Sequence, residues 1–382
     1  MKTLLYPLPA GVNIQHSSGI IYSILDSLKT VGFNIITTEP LSLQKPIIQT
    51  GLNALYRNKL FPYQFATVHT WKTVNNYAKQ LKEISEKYDF DAVFSASTLY
   101  AGALKIDKPI FSYVDFSFCN LLDYYPGGKN LFPLSRKEAL DVDKYCFQNH
   151  SKVFLASEWA KENTLKAYDL ENSKIHAIKQ GANVESGFTT YQIEKVIEAR
   201  IENNEKKILF VGINWERKGG EIAVAIVQKL NQLGYKVTLQ IVGCTPPSNI
   251  LSLPYVEGIG FLNRANTYEL EKMRNLFTKA WCFILPSKAE AFGLAYAEAA
   301  SFGLLSIAQN TGGVGDAIDD MKTGILFNEI VDIDDVVNHI TLLFKDVENY
   351  KRMSIHAYEK YSTEMNWNSI ALKIREIIMP LI

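Results

Sequence analysis

LPSKAEAFGLAYAEAASFG, Leu285 to Gly303, is the stretch from which the rest of the chain can be read. The run that enters it, Trp281 to Leu285, is short and apolar throughout, the pattern of a strand covered on both faces. Pro286 ends that run, a loop of small and polar residues follows, and an Ala-rich helix starts near Gly293. Leu304 to Ala308 is apolar again, so the unit reads as strand, helix, strand in a parallel sheet. Ligands of open α/β sheets bind at the carboxyl ends of the strands, where a helix N-terminus presents N–H groups and the positive end of its dipole. Glu290 lies in this loop and Glu298 inside the helix, with seven residues between them. A carboxylate in an apolar helical turn suits a pair of hydroxyl donors, such as those of a ribose, and Gly293 allows close approach to the backbone.

Upstream, the same scheme opens at LFVGINWERKGGEIAV, Leu209 to Val224. Lys207 to Val211 is a strand closed by Gly212, and Ile222, Ile226, Leu230 and Leu233 recur at helical spacing after it. Arg217 and Lys218 fall at the end of that strand, where a diphosphate would need neutralising. Val237 to Val242 and Tyr255 to Phe261 continue the sheet. The first half repeats the alternation: strands over Thr3 to Leu8, Phe33 to Thr37, Ala92 to Ser95, Ile110 to Tyr113, Val153 to Ala156 and Ile175 to Ile178. Helices are expected over Ile20 to Val31 and Tyr77 to Tyr88, and Thr189 to Asn204 reads as a charged helical connector. Two doubly wound Rossmann-like domains follow, 1–185 and 206–366. Ile370, Ile374, Ile377, Ile378 and Leu381 give the terminal segment 367–382 an apolar face, expected to cross back to the first domain instead of joining the core of the second.

With 40 basic and 40 acidic side chains the formal charge is zero, so no global attraction to nucleic acid is indicated. Cys119, Cys146, Cys244 and Cys282 stand far apart, as reduced thiols of a cytoplasmic protein do, and neither they nor the histidines show metal-ligand spacing. The apolar run at the N-terminus is broken by Pro7 and Pro9, which favours a first strand over a secretory signal, and no run is long enough to span a bilayer.

PSKAEAFGLAYAEAASFG resembles the Glu-x7-Glu signature of the family 4 retaining glycosyltransferases, which have the GT-B fold, two Rossmann-like domains facing a central cleft. The resemblance implies that Glu290 contacts the sugar of a nucleotide diphosphate donor, UDP- or GDP-linked, and that Glu298 holds its ribose. Phe292, Gly293 and Leu294 would supply the loop backbone. Arg217 and Lys218, following Gly212, fill the family's Arg/Lys-Gly motif, and QNTGGVGDAI resembles its Gly-Gly loop at Gly312 and Gly313. QGAN, Gln180 to Asn183, resembles the segment that ends the first domain, and SEWA places Ser157 near the cleft. The family's usual proline and Pro-Glu pair are replaced by Leu305 and by Gly315-Asp316. HSSG, His16 to Gly19, offers one glycine where a glycine pair is common, which makes Gly19 the candidate phosphate contact there. Asp115 stands where many relatives have a histidine, and either touches sugar or acceptor or caps the next turn.

The implied reaction is transfer of a hexose-type sugar, with retention, to a glycan, lipid-linked or other hydroxyl acceptor, with no metal and no further cofactor. A nucleotide-sugar epimerase of the same fold and a non-catalytic sugar-binding protein are the alternatives. GLNALYRNKLFPYQFATVHTWK, residues 51–72, is rich in aromatic residues and carries Arg57, Lys59 and Lys72. It suits a stacked glycan, a lipid-linked acceptor at the inner face of the membrane, or ordinary packing.

Overall fold

The computed structural model describes residues 1–9, 19–43 and 46–382; of HSSG, only Gly19 lies among them. The chain forms two compact units, Met1–Ile178 together with Ile370–Ile382, and Lys179–Ser369. The division thus falls a few residues ahead of 185, and residues 179–185 group with the second unit.

In the first unit the strands are β1 Thr3–Tyr6, β2 Asn34–Thr37, β3 Ala92–Ser95, β4 Ile110–Val114, β5 Lys152–Leu155 and β6 Ile175–Ala177. They form one parallel sheet in the order β2-β1-β3-β4-β5-β6. Leu4, Leu5, Val93, Phe94, Phe111, Tyr113, Phe154 and Leu155 are buried, as expected of strands covered on both faces. The helix Ile20–Thr30 buries Ile20, Ile21, Ile24, Leu25 and Leu28. The helix expected from Tyr77 begins earlier, at Trp71, because the Thr70 hydroxyl caps it by accepting from the Thr73 N–H; it ends at Ser85.

The second unit holds β7 Lys206–Gly212, β8 Val237–Gly243, β9 Val256–Gly260, β10 Cys282–Leu285, β11 Ser306–Gln309 and β12 Gly324–Phe327. All pairings are parallel and the order is β12-β11-β10-β7-β8-β9, which reverses between β7 and β10. That reversal is the topological switch point, where successive crossovers leave on opposite faces and open a crevice above the strand ends. The helix Gly220–Gln232 buries Ala223, Val224, Ile226, Val227 and Leu230. Leu233, expected on this face, is instead 53% exposed, since it is the C-cap and lies beyond the last helical turn. Ile370, Ile374 and Ile378 of the terminal helix Trp367–Ile378 are buried, but Leu381 is exposed. Pro380 explains the difference: the chain leaves the α-helix for a short 3₁₀ turn, Met379–Leu381, and Leu381 leaves the apolar stripe.

The helix Thr190–Glu202, expected to be a connector, is a packed element of the second unit. Ile193 and Ile197 are buried, and so is the guanidinium-bearing Arg200, at 4% exposure. Its Nε donates to Thr278 O at 2.9 Å, Nη1 to Gly303 O at 3.0 Å, and Nη2 to Phe277 O and Phe302 O, both at 3.0 Å. These carbonyls belong to the C-terminal ends of the helices Thr267–Lys279 and Leu294–Ser301. One cation therefore satisfies acceptors that helix ends leave without intrahelical donors, and meets the negative ends of two dipoles. Arg200→Met should lower the unfolding free energy of the unit by about 3–5 kcal/mol, because it strands buried acceptors. Urea titration measures this; a loss below about 1 kcal/mol would mean that water replaces the guanidinium at no great cost.

Candidate active site

Three loops at the carboxyl edge of the second sheet are joined by main-chain hydrogen bonds. Lys288 N, after β10, donates to Arg217 O, after β7, at 2.8 Å. Gly313 N, after β11, donates to Glu290 O at 3.0 Å. The loop after β7 is itself closed by Arg217 N donating to Asn214 Oδ1 at 2.8 Å and Lys218 N to Asn214 O at 3.0 Å. Gly219 is required where that loop meets β10: its φ is +74°, and a Cβ there would lie 1.9 Å from Pro286 O.

On this frame the side chains of Arg217, Lys218 and Glu290 converge. Lys218 Nζ donates to Glu290 Oε1, and Arg217 Nη1 lies 3.4 Å from the same oxygen and donates to Ala289 O at 2.8 Å. Glu290 is buried, and the side chains of Lys218 and Arg217 are largely covered, at 13% and 24% exposure. The two cations thus meet on one carboxylate at the switch point, between the loops that follow β7 and β10. Gly212 closes β7 with its Cα beneath the Lys218 stem, where a Cβ would come within 2.9 Å of Lys218 Cγ.

Gly293 is the N-cap of the helix Leu294–Ser301 with φ +90°. A Cβ there would also meet the Tyr296 ring at 2.4 Å, and that ring is fixed by its hydroxyl donating to Leu285 O at 2.7 Å. The glycine thus serves the turn itself, in addition to any approach from outside. Phe292 is buried beside it. Glu298 is fully buried in the helix, and its Oε1 accepts from Arg264 Nη1 at 3.0 Å. Its Oε2 is buried without a hydrogen-bond donor from the described residues. Burial raises the Glu298 pKa above the ordinary glutamate value, opposed first by the Arg264 guanidinium and then by the nearby amides of Val184 and Asn183.

Arg264 was not singled out from the sequence. It follows β9, at the carboxyl edge of the same sheet, and the Asn263-Arg264 pair at a strand end was the one available signal. The other candidates, Gly19, Asp115 and Ser157, belong to the first unit. Gly19 caps the helix Ile20–Thr30 with φ +86°. Ser157 caps the helix Glu158–Tyr168, its hydroxyl accepting from Ala160 N at 3.2 Å. Asp115 follows β4, and its carbonyl accepts from Ala156 N at 3.3 Å. All three stand at helix starts or strand ends along the carboxyl edge of that sheet. Among the described residues, no three His, Cys, Asp or Glu side chains are grouped so that they could hold a metal ion.

The Glu298 geometry has a consequence for stability. The folded-state pKa is raised, so this carboxyl favours the fold most when protonated, below 4.5, and that contribution is lost as pH rises through the folded value. Glu298→Gln should therefore raise the melting temperature at pH 7, with the gain shrinking toward zero below the ordinary glutamate pKa. An equal or lower melting temperature at pH 7 would show that the Arg264 pair outweighs the desolvation of the carboxylate.

Residues 192–360 match the family model of glycosyl transferases group 1. D-inositol 3-phosphate glycosyltransferase of Corynebacterium diphtheriae is 25% identical over 228 residues, covering 56% of this chain and 52% of that one. The chain thus spans about half the length of that curated relative. Among solved structures, sucrose-phosphate synthase of Thermosynechococcus elongatus superposes with a TM-score of 0.73 at 16% identity, over 100% of this chain and 99% of that one. Anabaena HepE in complex with UDP and glucose gives a TM-score of 0.66 at 14% identity, over 100% of both chains. The fold is therefore GT-B, and residues 192–360 are similar to the glycosyl transferases group 1 family.

Proposed function

We propose that the protein is a retaining glycosyltransferase that takes a hexose-type sugar from a UDP- or GDP-linked donor and passes it to a hydroxyl acceptor. The observation that carries this reading is the convergence of Arg217 and Lys218 on Glu290 at the switch point, beside the buried and incompletely bonded Glu298. A diphosphate carries more negative charge than the one carboxylate that meets the two cations, so it competes well for both. The Glu298 Oε2 suits a ribose hydroxyl, which would supply the donor that this oxygen lacks. The group 1 match over residues 192–360 supports assigning the donor to this unit, and a relative that is a D-inositol 3-phosphate glycosyltransferase supports the reaction class. The solved structure of Anabaena HepE with UDP and glucose supports a UDP-linked donor. Synthesis of a polysaccharide or another glycoside is the corresponding role.

In this reading the bond from the anomeric carbon to the diphosphate oxygen breaks as the acceptor oxygen bonds to the same face of the sugar. The acceptor proton passes to the departing diphosphate. Arg217 and Lys218 bear the charge that grows on that leaving group, and Glu290, released from their full attention, orients the sugar hydroxyls and forms no covalent intermediate. Asp115 is assigned to the sugar or acceptor side on the resemblance alone.

Thermal-shift measurements with a panel of nucleotide sugars identify the donor, since a ligand that binds only the folded state raises the melting temperature. With that donor, Arg217→Ala and Lys218→Ala should each slow turnover by about 2–4 kcal/mol of transition-state stabilisation while the fold persists. Normal turnover in either variant would remove that residue from the proposed role. Proton NMR of the early product reads the new anomeric coupling. A β-linkage from an α-linked donor would overturn retention, and isomerisation of the donor sugar with no acceptor would replace transfer by epimerisation.

A further inference from the structure

Tyr268, Glu271, Lys272, Leu276 and Lys279 recur at helical spacing along one side of the helix Thr267–Lys279. The core takes Met273 and Phe277 from this helix, on another side. The polar side walls a groove of about 350 Å³, completed by the sheet through Lys207 of β7 and Gln240 of β8. That volume falls in the range of small-molecule sites. Gln240 has Leu209 as its cross-strand partner, so Lys207, two residues before Leu209, shares its face of the sheet. Trp281 N donates to Lys207 O at 2.7 Å, which sets Lys207 beside the chain that leaves the helix at Lys279.

Bonding within this groove is incomplete. Gln240 is 4% exposed, and its Nε2 donates to Oε2 of Glu257, its partner on β9, at 2.7 Å. An ionised carboxylate only accepts, so the amide must turn its NH₂ toward Glu257 and leave its Oε1 for the groove. That oxygen is buried with no donor among the described residues, whereas a polar group on an ordinary sheet face is left in water. The ammonium groups of Lys207, Lys272 and Lys279 have no acidic partner among the described residues. The acids nearby are engaged elsewhere: Glu257 with Gln240, and Glu271 with Arg274 Nη1 at 3.7 Å.

These groups specify a ligand. Three cations in one groove suit a group of more than one negative charge, such as a phosphate. The buried Oε1 repels another anionic oxygen and calls for a hydroxyl. Tyr268, 78% exposed at the opposite end of the helix from Lys279, offers a ring to the C–H face of a sugar. We propose that the groove binds a phosphorylated sugar, with the phosphate toward Lys207 and Lys279 and a sugar hydroxyl donating to Gln240 Oε1. None of its residues belongs to the strand-end loops that hold Arg217, Lys218 and Glu290, so this site is independent of the donor assignment.

Calorimetric titration of the full chain with the 6-phosphates of glucose, mannose and galactose tests this, with the free sugars and inorganic phosphate as controls. At least one sugar phosphate should bind once per chain, more tightly than its sugar or phosphate alone, and lose affinity as salt is raised. Lys272→Ala and Lys279→Ala should each weaken it about five-fold, and Gln240→Met about ten-fold. Both lysines are exposed, so these variants keep the test decisive if Gln240→Met unfolds. Arg217→Ala should leave the affinity unchanged. Absence of binding by all three sugar phosphates, lysine variants that bind as the parent does, or inorganic phosphate binding equally tightly would each overturn the proposal. So would loss of binding in Arg217→Ala, because the ligand would then belong to the strand-end loops.

Discussion

The second unit depends on one buried cation. Arg200 stands on a helix that precedes the sheet in sequence, yet its guanidinium reaches the final turns of two helices that come much later. Helix ends concentrate unsatisfied carbonyls, and a buried one must find donors or destabilise the fold. A planar fork with five N–H groups meets four carbonyls in one place, which a lysine could not do with the same geometry. One of the helices held this way, Leu294–Ser301, begins at the strand-end loop and carries Glu298. The anchor at its rear therefore fixes the helix whose front meets the strand-end loops.

At that front, local stability has been subordinated to charge placement. Glu298 is ionisable, fully buried and bonded through only one of its oxygens, and burial shifts it toward the neutral form. Arg217 and Lys218 are held close together against a single carboxylate. Groups arranged so are costly in a structural role and suited to a ligand that completes their bonding.

Much of this arrangement was legible from single residues. The strands of both sheets announce themselves as apolar runs ended by Gly212, Pro286 or a polar turn, and the Arg217, Lys218 and Glu290 loops follow from those endings. What the sequence hides is pairing across distance. Arg264 meets Glu298 only because β9 sits on the β8 side of the sheet and sends its following loop over the strand ends, and strand order is a tertiary fact. Arg200 lies in a charged helix and looks like a solvated side chain until the helix ends it serves are known.

The main-chain bonds between the strand-end loops bear on how such a fold ages. Lys288 to Arg217 and Gly313 to Glu290 are joined through N–H and C=O groups, which every residue but proline provides in full. Loop shape set in this way tolerates turnover of most side chains, provided that tight spots such as Gly219 stay small. Divergence can then run far ahead of shape, as in the superposition on sucrose-phosphate synthase with a TM-score of 0.73 at 16% identity. Side-chain identity at the strand ends is left open to drift toward new substrates while the frame beneath it stays in place.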